Sequence, residues 1–539
     1  MWKLSLYFDG IVLDEDLFLN GCDTTGASLI TRGELMSTLA SFLIFIFLLT
    51  ATSCGKALVD LEELANVEVV EKEFVSTWTV GDVSIGDGDL TITLPLRSGY
   101  NYNFVVDWGD GTSGNVSSDS DPEATHVYAT PGTYTVKLSG VAEAFYFNCA
   151  GDYQKIQTVD NLGQLGWKSL ERAFACTENL KVNLSGNASD LTTVNNIFEN
   201  ALNIEVEIKN WNTESLTLAE RIFYLADGIE LTVDSWIVSA GASFESAFFS
   251  AENFNIDVSA WEFGEGSDLS NFFRNVDNGV VTGPFDVKGA QNLSGMFDSA
   301  RSISIDTTNW DTSSATDMSL MFYYVSWTPN TTNWDTSKVT TMLRTFAYSG
   351  GNPDVSNWDV SKVEDMTAMF TNTTSATPDT TNWVTTNLKL LDRTFTYASA
   401  ANPDTSGWDV SNVTTTKKMF QYATSANPDV SSWNTSSIVE MSNMFDGASS
   451  ADPDMSSWDF SSIAILADIF KDIGLSTANY DSFLIRLDLT GPSSPPIPFA
   501  PHNGVNGGSS KYTSGGAAAA ARSSLSAKGW NLSDGGVAP

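Results

Sequence analysis

Carboxylates are the one kind of chemically capable side chain that this 539-residue sequence holds in quantity. There are 66 Asp and Glu against 27 Lys and Arg, with two histidines, His126 and His502, and four cysteines, Cys22, Cys54, Cys149 and Cys176. Five of the aspartates, Asp354, Asp379, Asp404, Asp429 and Asp454, recur at intervals of 25. On such a register their oxygens could bind Ca2+, a hard cation that takes oxygen ligands. They could equally accept hydrogen bonds from the N–H groups of their own turns. Capping is the expected role, because these positions lack the glycine-containing, multi-carboxylate loop of a dedicated calcium site. Paired carboxylates can also cleave glycosides, but they must converge in a pocket, and aspartate is too common here for its presence to mark one. The cysteines and histidines form no zinc-spaced cluster and no nucleophile–base pair. The chain is therefore read as non-enzymatic, with no catalytic residue and no cofactor other than calcium on the aspartate column.

The net charge of -39 repels polyanions over most of the surface, which excludes nucleic acid as a partner. A hydrophobic fraction of 42%, with the charge diluted among Ser, Thr, Asn and Gly, marks a folded chain and not an acidic tail.

The run LASFLIFIFLLT at Leu39–Thr50 is too short to span a membrane but suits the apolar region of a signal peptide. The following ATSC, Ala51–Cys54, resembles a bacterial lipobox. That resemblance implies acylation of Cys54 and a lipid-anchored product at the cell surface or outer membrane. Ala51 stands where such signals usually carry Leu, Val or Ile, so ordinary signal-peptidase cleavage nearby stays open. Residues 1–35 carry Asp9, Asp14, Glu15, Asp16 and Asp23, which sit badly ahead of a signal. They are expected to lie outside the native product, with the start between Leu29 and Met36 and Arg32 supplying the positive end if it lies nearer Leu29. Residues 36–54 are then the signal and 55–73 a linker. In an oxidising compartment Cys149 and Cys176 can form a disulfide or persist as two buried thiols.

Over 74–147 the pattern is β. DLTITLPL at Asp89–Leu96, NYNFVVDW at Asn101–Trp108 and GTYTVKL at Gly132–Leu138 alternate or cluster β-formers, and the Asp-Gly of DWGDGT reverses the chain. WGDGT followed by HVYATPGTYTVKL at His126–Leu138 resembles the PKD type of immunoglobulin-like module. The resemblance implies an antiparallel sandwich in which His126 packs near Trp108 and hydrogen-bonds in the turn region, and is not a ligand.

Residues 148–476 are a repeat. Trp211, 236, 261, 310, 334, 358, 383, 408, 433 and 458 recur every 24 or 25 residues with Phe285 filling the gap, and thirteen phenylalanines from Phe174 to Phe470 keep the same step. In NPDVSNWDVSKVEDMTAMF, Asn352–Phe370, Pro353 opens a short extended segment through Val355 and Trp358. Ser361 with Glu364 matches a capping box for a helical turn showing Val363, Met366 and Phe370 on one face. A coil of about 25 residues has few other large apolar groups, so the tryptophans are expected inside. Residues 477–539 read as a cap: Ala517–Lys528 is helix-forming and stopped by Gly529, with Trp530 and Leu532 after it, while GPSSPPIPFAP at Gly491–Pro501 is an excursion loop.

The unit W-D-x-S-x-V-x-x-M-x-x-M-F is similar to the repeat of BspA-like leucine-rich-repeat surface proteins of the DUF285 type, over Phe74 to Gly536. The passage KIQTVDNLGQLGWKSLERAFACTENL, Lys155–Leu180, opens the array and the ending Tyr512–Gly536 closes it. Trp383 is followed by Val384 in place of Asp, and the repeats before Trp310 are degenerate. The phenylalanine register counts thirteen coils of short strands and short helical turns, and the resemblance implies a leucine-rich-repeat-like solenoid with an adhesive role toward an extracellular protein or glycan. The alternative is an envelope spacer that binds nothing. A contiguous surface patch that does not repeat would favour adhesion.

Overall fold

The computed structural model describes residues 72–257, 261–283, 285–495 and 504–539, and two strands nearer the N-terminus. The signal-like run Leu39–Thr50, Cys54, the end of the Pro-rich stretch at 496–501 and His502 lie outside the described residues. The chain divides into two compact units, Met1–Lys72 and Glu73–Pro539. In the first, β1 (Leu4–Phe8) pairs antiparallel with β2 (Ile11–Glu15).

The second unit begins with β3 (Phe74–Val80), β4 (Thr91–Thr93), β5 (Tyr102–Asp107), β6 (Ser113–Val116), β7 (Thr125–Val127) and β8 (Gly132–Ala142). Alternate residues of β3 and β5 are buried, as period-2 patterning requires. The DWGDGT turn is held by its own carboxylates: Gly109 N donates to Asp107 Oδ1 at 2.9 Å and Thr112 N to Asp110 Oδ1 at 3.0 Å. Gly109 has φ 76°, and a Cβ there would meet the Thr135 carbonyl oxygen at 2.4 Å, so only glycine fits.

Seven short strands stack parallel in the following coils: β9 (Ile156–Asn161), β10 (Lys181–Asn187), β11 (Glu205–Thr213), β12 (Glu230–Val233), β13 (Trp236–Val238), β14 (Asn255–Asp257) and β15 (Val280–Thr282). β9 also pairs antiparallel with β3, so one 11-stranded sheet runs from the sandwich into the solenoid. The solenoid makes about 15 turns of about 25 residues with little helix. A column of single parallel bridges runs up its side from Ala144–Ser169 to Glu440–Ile465.

The clearest repeats differ from their expected local structure in two ways. No strand forms at Val355–Trp358. Instead Trp358 N donates to the Val355 carbonyl at 3.2 Å, closing a turn. Pro353 has no N–H for a ladder, and the Asp354 carboxylate takes the N–H of Ser356. Side chains bond the coils there in place of backbone. Thr380 Oγ1 donates to the Asp404 carbonyl and Thr405 Oγ1 to that of Asp429, both at 2.6 Å, and Asn427 N donates to Asn402 Oδ1 at 2.8 Å.

The expected helical turn is also absent, and with it the capping box. Ser361 N donates to Asp359 Oδ1 at 2.9 Å and Glu364 N to the Thr340 carbonyl at 2.8 Å. Beyond them, N–H groups alternate in their targets. Met366, Ala368, Phe370 and Asn372 donate to carbonyls of Leu390, Asp392, Thr394 and Thr396 on the next coil, while Met369, Thr371 and Thr373 donate three residues back. Ala368 and Asn372 take left-handed φ of 56° and 58° to allow this. A helix would turn every N–H inward on its own segment; here a neighbouring coil offers carbonyls at the right rise and takes half of them.

The aromatic ladders are the core. No residue of the tryptophan series, Phe285 included, is more than 4% exposed. Phe370, Phe395 and Phe420 stack with centroids 5.5 Å apart and planes within 4°. Several indole N–H groups donate to a carbonyl of the preceding coil, as Trp433 does to Thr405 at 3.2 Å. Trp408 Nε1 is buried without a partner.

Both ends are closed. Phe74 of β3 packs on Trp167 at 5.9 Å and on Phe145 at 5.4 Å. At the far end α1 (Thr477–Thr490), N-capped by Ser476, sets Phe483 edge-on against Phe470 at 5.1 Å. β16 (Val505–Asn506), α2 (Ala517–Ala527) and β17 (Leu532–Ser533) complete the cap, with Gly529 at φ 92° after α2.

Trp408→Ala should destabilise the protein by about 3–5 kcal/mol, read by denaturant unfolding. Trp408→Phe should cost less than Trp433→Phe, because only the second removes a hydrogen bond, worth about 1 kcal/mol. A loss below about 1 kcal/mol for Trp408→Ala would contradict a core role.

Candidate functional site

The aspartate column is engaged with its own turns. Asp354, Asp379, Asp404, Asp429 and Asp454 each accept the N–H two residues on, from Ser356, Thr381, Ser406, Ser431 and Ser456, at 2.9–3.1 Å. Ser356, Ser406 and Ser431 add their hydroxyls at 2.6–2.7 Å. These hydroxyl bonds, then the N–H bonds, hold the Asp354, Asp404 and Asp429 carboxyls below the usual carboxylate range.

Another carboxylate cluster, Asp87, Asp89 and Asp152, has the spacing of a cation site. The cation there is an ammonium: Lys155 Nζ, 1% exposed, reaches the three at 2.8, 2.6 and 2.7 Å. Burial opposes its charge, but the hydrogen bonds to Asp152, Asp87 and Asp89 outweigh that and raise its pKa. His126 stacks on Trp108 at 5.1 Å and meets Asp110 Oδ2 at 2.8 Å. The Thr112 hydroxyl and then His126 lower the Asp110 pKa to about 2. Cys149 and Cys176 form a disulfide with Cα atoms 5.1 Å apart, tying the start of the array to its first phenylalanine coil.

A different face breaks the regularity of the coils. Where Phe346, Phe395 and Phe420 point inward, the residues two before and two after them point out, giving Arg344 and Tyr348, Arg393 and Tyr397, Lys418 and Tyr422. Tyr348 and Tyr397 are 45% and 46% exposed. Tyr397 and Tyr422 stack with centroids 4.9 Å apart. The intervening coil has Ala368 and Asn372 at these positions, and the coil after Tyr422 has Asn443 and Gly447. The result is a shallow hollow of about 370 Å³ reaching from Tyr348 to Lys471.

Asp446 lies in its lining and is 1% exposed. Its Oδ2 accepts from Gln421 Nε2 at 2.8 Å and Asn443 Nδ2 at 3.0 Å, and its Oδ1 has no partner. The Asp446 charge raises the pKa values of Lys471 and Tyr422. Lys471 Nζ reaches Asp472 only at 4.0 Å, and among the described residues Arg393 and Lys418 form no ion pair. The face is not among the sites expected from the sequence. Its signal there is the thrice-repeated (R/K)-x-F-x-Y, in which the phenylalanine belongs to the core ladder and the flanking residues to the surface.

The molecule so described is a parallel-coil repeat solenoid behind a small β-sandwich. A PKD domain model matches residues 77–144, as the WGDGT pattern implied. The family described as Mycoplasma protein of unknown function, DUF285, matches residues 168–281, 291–408 and 389–483, more than half of the chain, and the chain belongs to that family. Neither a curated protein nor a solved structure matches it.

Because the Asp354, Asp404 and Asp429 carboxyls titrate below their unfolded values, their stabilisation is present above the ordinary carboxylate range and lost as pH falls through about 4 and below. The melting temperature should therefore hold from neutral pH to about 5 and drop beneath about 4. Asp404→Asn, which keeps an acceptor oxygen, should lose its part of that drop. Millimolar Ca2+ should leave the melting temperature unchanged. A rise of several degrees, absent in Asp404→Asn and not reproduced by matched ionic strength, would show calcium bridging instead.

Proposed function

We propose that this protein is a surface-displayed, non-catalytic binding protein that holds an extracellular protein or glycan on one face of its solenoid. The observation that carries the reading is the tyrosine, arginine and lysine patch around Tyr397. A spacer has no use for exposed aromatic rings and unpaired cations at one place on an otherwise repetitive acidic surface. The hollow contains no two carboxylates converging on one space, which favours binding over glycoside cleavage. Display is proposed to come from export and acylation of Cys54, which would carry the described unit outward on the 55–73 linker.

A glycan and protein array probed with the purified full chain should give at least one ligand whose signal falls about tenfold or more in Tyr397→Ala/Tyr422→Ala. No binder, or binding indifferent to that double substitution, would leave the spacer reading. Mass spectrometry of the mature N-terminus should find acylated Cys54; an unmodified terminus at another residue would remove the lipid anchor while leaving export intact.

A further inference from the structure

From the chemistry of the hollow we infer that its ligand is an acidic saccharide, one bearing carboxylate or sulfate groups on pyranose rings. This inference rests on the reading of the patch as a binding face and adds the class of ligand.

Charge is the first argument. On a chain of net charge -39, the hollow gathers three cations, Arg393, Lys418 and Lys471, against one carboxylate, Asp446, which with Asp472 faces Lys471; among the described residues Arg393 and Lys418 form no ion pair. Arg393 and Lys418 hold the same position on adjacent coils, where like charges repel unless an anion sits between them, and a guanidinium beside an ammonium suits carboxylate or sulfate oxygens. Shape is the second. Tyr348 and Tyr397 stand two coils apart, about 9.5 Å at the usual strand spacing. Asn372 replaces the tyrosine that would fill the rung between them. One pyranose ring fits such a gap with its C–H faces against aromatic rings at van der Waals distance, about 3.5–4.0 Å between carbons on each side.

Hydrogen bonding is the third and independent argument. Asp446 Oδ1 is buried and unpartnered in the lining, and a buried carboxylate oxygen without a donor is costly. A sugar hydroxyl donates to it, whereas an anionic group alone does not. Acidic saccharides combine both functions on one ring.

An acidic peptide is disfavoured by the backbone of the face. Tyr397 N donates to the Gln421 carbonyl and Tyr422 N to that of Asp446, both at 2.8 Å, so the coils present no free edge for an added strand. The remaining lining is hydroxyl and amide, from Thr371, Thr396 and Gln421, which suits a polyhydroxylated ligand better than apolar side chains.

The test is calorimetric titration of the purified full chain with four probes: tetragalacturonate, a sulfated heparin tetrasaccharide, neutral maltotetraose and hexaglutamate. One of the two acidic saccharides should bind, identifying carboxylate or sulfate as the anion, and should bind at least about tenfold more tightly than maltotetraose and hexaglutamate. Arg393→Ala/Lys418→Ala and Tyr397→Ala should each weaken it by about tenfold or more, Lys418→Arg should retain it, and raising salt from about 0.05 M to about 0.5 M should weaken it. Thermal melts of the variants confirm folding, and Tyr397→Phe, which keeps the ring, should bind nearly as the parent does. Hexaglutamate binding as tightly, no acidic saccharide binding, or indifference to Arg393→Ala/Lys418→Ala overturns the inference. Tyrosine-dependent binding of maltotetraose alone overturns the acidic assignment while leaving the binding face in place.

Discussion

The structure depends on the hydrogen bond between one coil and the next. In each clear repeat the N–H groups of alternate residues, such as Ala368, Phe370 and Asn372, reach carbonyls one coil on, and the residues between them close local turns. That bond sets a single rise along the axis, and everything at a given position in the repeat is then translated by it. Phenylalanines must stack on phenylalanines and tryptophans on tryptophans; Trp433 and Trp458 lie with planes 2° apart. The large apolar area buried by the two ladders is a consequence of the backbone register as much as its cause.

The same translation that aligns apolar groups also aligns charges. Aspartates at 354, 379, 404, 429 and 454 are brought within repelling distance by a spacing they cannot alter, about 1 kcal/mol per adjacent pair even in water. The offset lies inside each turn, where the carboxylate oxygen accepts an N–H and often a serine hydroxyl. Elsewhere opposite charges meet across coils, as Lys389 and Glu364 do at 2.6 Å. The ends of the stack face a related difficulty, since a terminal coil has no neighbour. Strand β3 of the sandwich covers one end by pairing with β9, and the helix α1 covers the other with Phe483.

A lattice of identical columns offers the same chemistry at every rung, and recognition of one ligand requires that the repetition fail somewhere. It fails at Asn372 and Gly447, where the tyrosine column is interrupted, and at Asp446 and Lys471, where a threonine and glutamine column turns ionic. The interruptions cost the core nothing, because Phe370 and Phe445 remain fully buried beneath them. Surface positions of a solenoid can thus diverge while the register is kept.

How much of this was readable from the amino acids follows the same division. The period, the inward tryptophans, the β pattern around WGDGT and HVYATPGTYTVKL and the capping aspartates are local or translational properties, and residue types with their spacing set them. The degenerate early repeats hid a continuous strand ladder, β10 to β15, and the clean later repeats suggested strands and helical turns that do not form. Local patterns cannot say whether an N–H will bond within its own segment or to a neighbour that lies 24 or 25 residues away. That choice belongs to the stacked coils, whose carbonyls exist at the right place only once the solenoid is assembled. The binding hollow belongs to tertiary structure for the same reason. Tyr348, Arg393, Tyr422 and Asp446 span about a hundred residues of sequence, and only the coil-to-coil rise sets them side by side.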